Sequence, residues 1–330
     1  MAVVAIALIT LWLVLEPSGS RETAPEFVLY FSQPGPAVEG SPPTGNWAAP
    51  AGVVAIGTRL FVLDSGNDRV LELDPAGRVT GVLCESGDCQ FLLKNPQALA
   101  TDGEKLYVAN TVAGQVVVLS TDGSIVSTIK IVPPGSPNKG EFTPNGIAVS
   151  PTGEVYVSDR ARDLVLRLSS DSRSTSVFLD GLGESEKYRA VKPMGLAVDV
   201  WGNIYVANSG SGPIRKYSAA GRHLQEFSLR SNPAFFSPAY VALDGRGNVY
   251  FTDNRSRLVY VYTEAGDLAG VVGLLDSGRV DSPGVLREPW GLNMVRGTLY
   301  IADKESGLFG FRIDPDYWKS AQHSQAGRHP

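Results

Sequence analysis

Six acidic or amide side chains recur along this chain at nearly constant spacing: Asp64, Asn110, Asp159, Asn208, Asp253 and Asp303, 45 to 50 residues apart. Each closes a short apolar run (LFVLD, LYVAN, VYVSD, IYVAN, VYFTD, LYIAD). Two chemistries fit such a series. A ring of side-chain oxygens suits a hard cation, which needs several oxygen ligands. Alternatively, each side chain accepts backbone hydrogen bonds from the loop that follows it, a common use of Asp and Asn at strand ends. One more amide, Asn145 in Thr143-Pro144-Asn145-Gly146, completes the candidate metal set of Asn145 with Asp159, Asp253 or Asp303, for calcium or zinc.

The elements that must position these groups are legible in the same repeat. A Pro precedes each copy (Pro50, Pro96, Pro144, Pro193, Pro238, Pro289), followed by an apolar run, a Gly-containing turn, the run ending in Asp or Asn, a polar loop and a third run. Regularity at this period means stacked copies of one unit. The runs are rich in Val, Ile, Leu, Tyr and Phe and separated by Asp-Gly, Gly-Asn and Ala-Gly, which predicts antiparallel strands joined by hairpins. The second run is apolar on both faces, as a sheet sandwiched between two others requires. The predicted fold is all-β: a six-bladed β-propeller of four-stranded antiparallel blades. The last unit runs into a polar tail, residues 314–330, and lacks a fourth strand; the unpaired run FVLYF at Phe27–Phe31 is expected to supply it, closing the ring and hiding its edge.

The organisation that follows is a propeller over 27–313 with short segments before and after it. Met1 to Leu15 is apolar except for Thr10 and is shorter than the about 20 residues that span a bilayer. With small residues at Ser18–Ser20, residues 1–20 read as a signal peptide or an N-terminal membrane anchor, and 21–26 as a tether. Export to the periplasm, the extracellular space or an outward-facing membrane surface is the expectation, with membrane attachment through the apolar segment. Cys84 and Cys89 are the only cysteines, and their spacing around Gly87 suits a small disulfide loop in an oxidising compartment. The 330 residues are 43% hydrophobic and 19% charged with net charge -5, and no basic run is interleaved with aromatics, so nucleic-acid binding is not expected.

The units resemble NHL repeats, in Pro-x-Gly-aliphatic-Ala-Val, Gly-Asn-aliphatic-Tyr-Val-Ala-Asp and a following Val-x-x-Leu; the second unit also resembles the YVTN type. The likeness spans Trp47 to Ile313 and implies a propeller, whose relatives include binding scaffolds, RNA readers, lyases and lactonases. Thr143-Pro144-Asn145-Gly146 resembles the segment of gluconolactonase-like propellers in which Asn ligates a divalent metal. The matching positions elsewhere hold Ala51, Gln97, Met194, Ala239 and Trp290, so the acidic partners that the resemblance implies are missing. Histidine-dependent relatives are a poor match, because His223 falls in an outer hairpin and His323 and His329 in the tail. Ala98 and Tyr240 replace the Gly of the repeat, so a different turn is expected there.

Turn lengths then separate the two faces of the ring. First-to-second and third-to-fourth strand turns are minimal, whereas the linkers 32–49, 84–95, 132–143, 180–192 and 274–288 are long and emerge on the opposite face. Recognition is expected on that loop face. Its aromatic candidates are Trp47, Phe91, Phe142, Tyr188, Phe235, Phe236 and Trp290, with Trp290, Trp47, Tyr188, Phe236 and Asn145 as the binding set. The expected function is non-catalytic binding of a protein or other macromolecule without a cofactor. The alternative is a metal-dependent lactonase or esterase at the central channel.

Overall fold

A computed structural model describes residues 28–33, 47–84, 89, 91–132, 142–180, 192–209, 212–228, 238–273 and 285–313. They form six antiparallel four-stranded sheets. Blade 1 holds β2 (Pro50–Ile56), β3 (Arg59–Asp64), β4 (Arg69–Leu73) and β5 (Val79–Leu83). Blade 2 holds β6 (Pro96–Thr101), β7 (Leu106–Asn110), β8 (Gln115–Leu119) and β9 (Ile125–Lys130). Blade 3 holds β10 (Pro144–Val149), β11 (Val155–Asp159), β12 (Leu164–Leu168) and β13 (Thr175–Asp180). Blade 4 holds β14 (Pro193–Val198), β15 (Ile204–Asn208), β16 (Ile214–Tyr217) and β17 (His223–Phe227). Blade 5 holds β18 (Pro238–Leu243), β19 (Val249–Asp253), β20 (Leu258–Tyr262) and β21 (Leu268–Val272). Every inner strand starts at the Pro of its repeat, and every second strand ends at its Asp or Asn.

Blade 6 is built from both ends of the chain. It contains β22 (Pro289–Val295), β23 (Thr298–Asp303), β24 (Gly307–Arg312) and, as outer strand, β1 (Val28–Gln33). The pairing runs from Val28↔Arg312 to Gln33↔Leu308, so the N-terminal strand closes the ring as expected. Phe27, the signal or anchor segment, the tether and the tail lie outside the described residues. The inner strands touch in cyclic order from β2 through β6, β10, β14, β18 and β22 back to β2.

Burial peaks at the second strand of each blade and falls toward the outer one. The second strands are buried along almost their whole length, for example all five residues of LYVAN, VYVSD, IYVAN and VYFTD. Each side chain packs toward a neighbouring blade, worth about 1.5–3 kcal/mol for a fully buried Val, Leu or Ile. Outer strand β9 is mostly exposed. Cys84 and Cys89 are bonded to each other.

Candidate functional site

The six Asp and Asn residues at the second-strand ends are fully buried, and their side chains are engaged in local hydrogen bonds: Asp64 and Asn110 accept from the N–H groups of Ala48 and Lys94, and the Asn208 amide donates to Pro213 O. Asp159 accepts from the backbone N–H of Thr143, Ala161 and Arg162, the Thr143 hydroxyl and the Arg162 guanidinium. Asp303 accepts from the N–H groups of Arg287, Glu288, Glu305 and Ser306, although burial still raises its pKa. Asp253 accepts from Arg255 N–H and the Ser256 hydroxyl. The side chains therefore staple the linker before the blade as well as the loop after the strand, a wider role than the second reading of the repeat assigned. Asn145 Oδ1 accepts from Arg160 N–H at 3.2 Å. Asn145, Asp159, Asp253 and Asp303 are not brought together as a ligand set, and among the described residues no three or more His, Cys, Asp or Glu cluster as metal ligands would. These donors do not fit a resident cation.

The centre of the loop face is shaped by how the inner strands begin. Pro suits the first residue of a strand because it has no N–H to offer the ladder. Immediately after each Pro the register slips, as between Pro144 and Gly146 or Pro238 and Val241. The chains then converge so closely that a Cβ on Gly146 would lie 1.9 Å from Met194 O, and one on Gly291 2.4 Å from Ala51 O. Only Gly fits such an approach.

Tyr240 occupies the equivalent place in blade 5, and the different turn expected there and at Ala98 is not found. The slip after Pro96 matches that after Pro50, and the slip after Pro238 matches that after Pro193. Tyr240 N–H donates to Thr252 Oγ1 at 3.0 Å, and that hydroxyl donates to Trp290 O at 2.9 Å. In blade 3 the same relay runs from Gly146 N–H to Ser158 Oγ at 2.8 Å and on to Met194 O at 2.6 Å. The relay and the register slip are thus the repeat's own, with room at this strand start for a Cβ, and the side chain crosses the axis. Its hydroxyl lies 2.6 Å from Gln97 O and 3.0 Å from Asn145 O, on the far side of the ring. Burial pushes its pKa up.

Beneath this plug the inner strands enclose a channel of about 220 Å3. Apart from Thr101, Asn293 and Tyr240 its lining residues are apolar or Gly, with no carboxylate, histidine, cysteine or lysine among them. Above it, Trp290 packs against the Tyr240 ring at 5.7 Å between centroids, and the Lys304 ammonium lies 3.3 Å over the indole centroid. Lys304 Nζ also donates to Gln97 Oε1 at 3.3 Å. Burial pulls its pKa from 10.5 down to about 8, against the opposing pull of the Glu288 charge.

Aligning the six copies one residue beyond the Asp or Asn shows the signal that sequence reading missed. That position holds Ser65, Thr111, Arg160, Ser209, Asn254 and Lys304. Ser65 and Thr111 donate to the carbonyls of Pro96 and Pro144, each locking the start of the next blade, and Ser209 donates to Lys192 O at 2.9 Å. Arg160 and Lys304 are the two cations in this inner circle; Arg160 Nε donates to Ser209 Oγ at 3.1 Å.

Other predicted binding residues divide. Trp290 is half-buried at the centre of the loop face, and Asn145 stands at the start of the inner strand of blade 3, across the axis on the same rim. Trp47 is half-buried against the junction of blades 1 and 6, and Phe142 is in the core. Phe91 is 75% exposed. Tyr188, Phe235 and Phe236 lie outside the described residues. His223 begins an outer strand, far from the axis, with its ring against Tyr217.

No protein-family model and no curated protein matches this chain. Solved structures do. A gluconolactonase from Xanthomonas campestris aligns at 18% identity over 87% of this chain and 89% of its own, with a TM-score of 0.60. Virginiamycin B lyase from Staphylococcus aureus aligns at 12% identity over 82% of this chain and 97% of its own, TM-score 0.58. A chain of the nidogen/laminin complex aligns at 17% identity over 68% of this chain and 80% of its own, TM-score 0.53. At such identities the likeness concerns the fold, and one fold serves many activities. Sheet order, ring closure and these likenesses together identify the chain as a six-bladed β-propeller, built on the fold of enzymes and binding proteins alike.

Proposed function

We propose that this propeller is an exported, non-catalytic binding module that engages a protein or other macromolecule through its loop face. The observation that carries this reading is the Tyr240 plug over a channel in which, among the described residues, no carboxylate, histidine, cysteine or lysine forms part of the lining. General acid–base and nucleophilic chemistry draws mostly on such groups, and the two hydroxyls that line the channel, Tyr240 and Thr101, are bonded to carbonyls. What the loop face offers instead is a rigid aromatic and cationic centre of Trp290, Lys304 and Arg160, with Phe91, Val112 and Val132 exposed toward one side. Central aromatic and cationic residues ringed by neutral contacts are the usual anchors of protein interfaces. The cations favour an acidic group on the partner.

A lactonase reading would require oxygen ligands that Asp159, Asp253 and Asp303 have already committed to their own loops. The test is site-specific photocrosslinking in native envelope or secreted fractions, with a benzophenone residue at Phe91 or Gln97 on the loop face and at Arg173 on the short-turn face. Loop-face positions should capture a common partner that Arg173 does not. Capture from Arg173 alone, or turnover of a lactone panel by the metal-loaded protein, would overturn the proposal.

A further inference from the structure

The face opposite the loops carries a second, independent pattern. Strand β1 runs from Val28, paired with Arg312 at the short-turn end, to Gln33, paired with Leu308 toward the loop face. Residues 1–27, which include the apolar stretch Met1 to Leu15, therefore join the ring on the short-turn face. Of the ten large apolar side chains that the described residues leave exposed, four lie on this rim in blades 4 and 5. Val200 and Trp201, at the tip of the β14–β15 hairpin, are 76% and 68% exposed. Leu224 and Leu268, next to or at the short-turn ends of β17 and β21, extend the patch across blades 4 and 5. Blade 5 adjoins blade 6, where Val28 leaves the ring.

The hairpin tip is held rigidly. Asp199 accepts from the N–H groups of Trp201 and Asn203 and from the Asn203 amide, and pairs with Lys216 at 3.3 Å. Val200 and Trp201 are thus presented to solvent on a fixed turn, with no packing that their size serves. An indole beside an aliphatic residue at an exposed tip suits the interface of a bilayer, where the ring sits at the headgroup level.

We propose that the short-turn face of blades 4 to 6 rests on a lipid bilayer, with Val200 and Trp201 in the interface and the loop face directed away from the membrane. This rests on the membrane attachment that the sequence leads us to expect through the N-terminal segment, and adds which side of the ring faces the lipid. One apolar segment shorter than a full span anchors weakly, and a second contact on the same face makes the attachment stable.

The experiment uses the full chain reconstituted in phosphatidylcholine vesicles whose acyl chains carry bromine. Val200→Cys and Phe91→Cys variants, both at exposed positions, are labelled with a small fluorophore; Cys84 and Cys89 are unavailable because they are bonded to each other. The chain should sediment with the vesicles. The label at position 200 should be quenched several-fold more by lipid bromine than by aqueous iodide, and the label at position 91 the reverse. Failure to sediment would sink the attachment and this inference together while leaving capture of a partner at the loop face untouched. Sedimentation with position 200 as open to iodide as position 91, or with position 91 the one quenched by lipid, would overturn the face assignment alone.

Discussion

Replacing Lys304 by Met tests whether the centre of the loop face is kept for binding at the expense of stability. Met has a similar unbranched reach and no charge, so it can lie on the Trp290 ring as the lysine stem does. The folded pKa of about 8, against 10.5 for an ordinary lysine, corresponds at about 1.4 kcal/mol per pH unit to about 3 kcal/mol of destabilisation from holding the charged form. That figure is already net of the attraction to the Trp290 ring, so only the hydrogen bond to Gln97, worth about 1 kcal/mol and absent in Met, stands against it. Lys304→Met should therefore be more stable by about 2 kcal/mol at pH 7. The sign fixes the pH dependence. Below pH 8 the amine is charged in both states and the folded protein bears the full penalty. Between 8 and 10.5 the unfolded chain binds more protons than the folded one, so wild-type stability rises with pH. Above 10.5 the penalty is gone and the variant loses its advantage. Urea denaturation at pH 7 and 10.5 reads this as a midpoint shift at constant slope. A variant less stable than wild type at pH 7, or with the same advantage at both pH values, would refute the reasoning. Partner capture should fall in the same variant.

Tyr240→Phe removes the donor that Gln97 O and Asn145 O share across the axis and should destabilise the ring by about 1–3 kcal/mol in denaturant titrations. Because burial raises the phenol's pKa, its contribution is complete below the unfolded value near 10 and is lost as pH rises through the folded one, so this variant should show a shallower alkaline decline than wild type. Asp159→Ala leaves five donor groups without their acceptor, including the Arg162 guanidinium, and should lower stability by about 3–5 kcal/mol, visible as a large fall in Tm. Deleting residues 1–33 strips β24 of its outer partner and exposes a sheet edge; light scattering should report aggregation, and an unchanged Tm would contradict closure by β1. Alkylation should find two thiols only after reduction, and Cys84→Ser with Cys89→Ser should cost about 2 kcal/mol, as expected for so short a loop.

The chain's own pattern determined the ring. A Pro that cannot donate, an apolar run, and an Asp or Asn whose side chain satisfies nearby N–H groups are local devices, so the six strand starts at Pro50 through Pro289 and the six ends at Asp64 through Asp303 were readable without knowing what packed on what. Closure by β1 was readable as well, because the last unit lacked one strand and, beyond the N-terminal stretch Met1 to Leu15, FVLYF was the apolar run left unpaired. The short turns against the long linkers also assigned the variable face. The centre of that face was decided by the tertiary structure. Tyr240 reaches carbonyls 143 and 95 residues away, and Lys304 meets Gln97 across 207 residues. Such pairs depend on which blades stand opposite or near each other around the axis, and repeat periodicity is blind to that because every copy reads alike. The same limit explains Phe142 and Trp47, whose side chains pack into the core: a long linker in the sequence says that chain is available, whereas the direction these aromatic side chains take is set by the gaps that neighbouring blades leave to be filled.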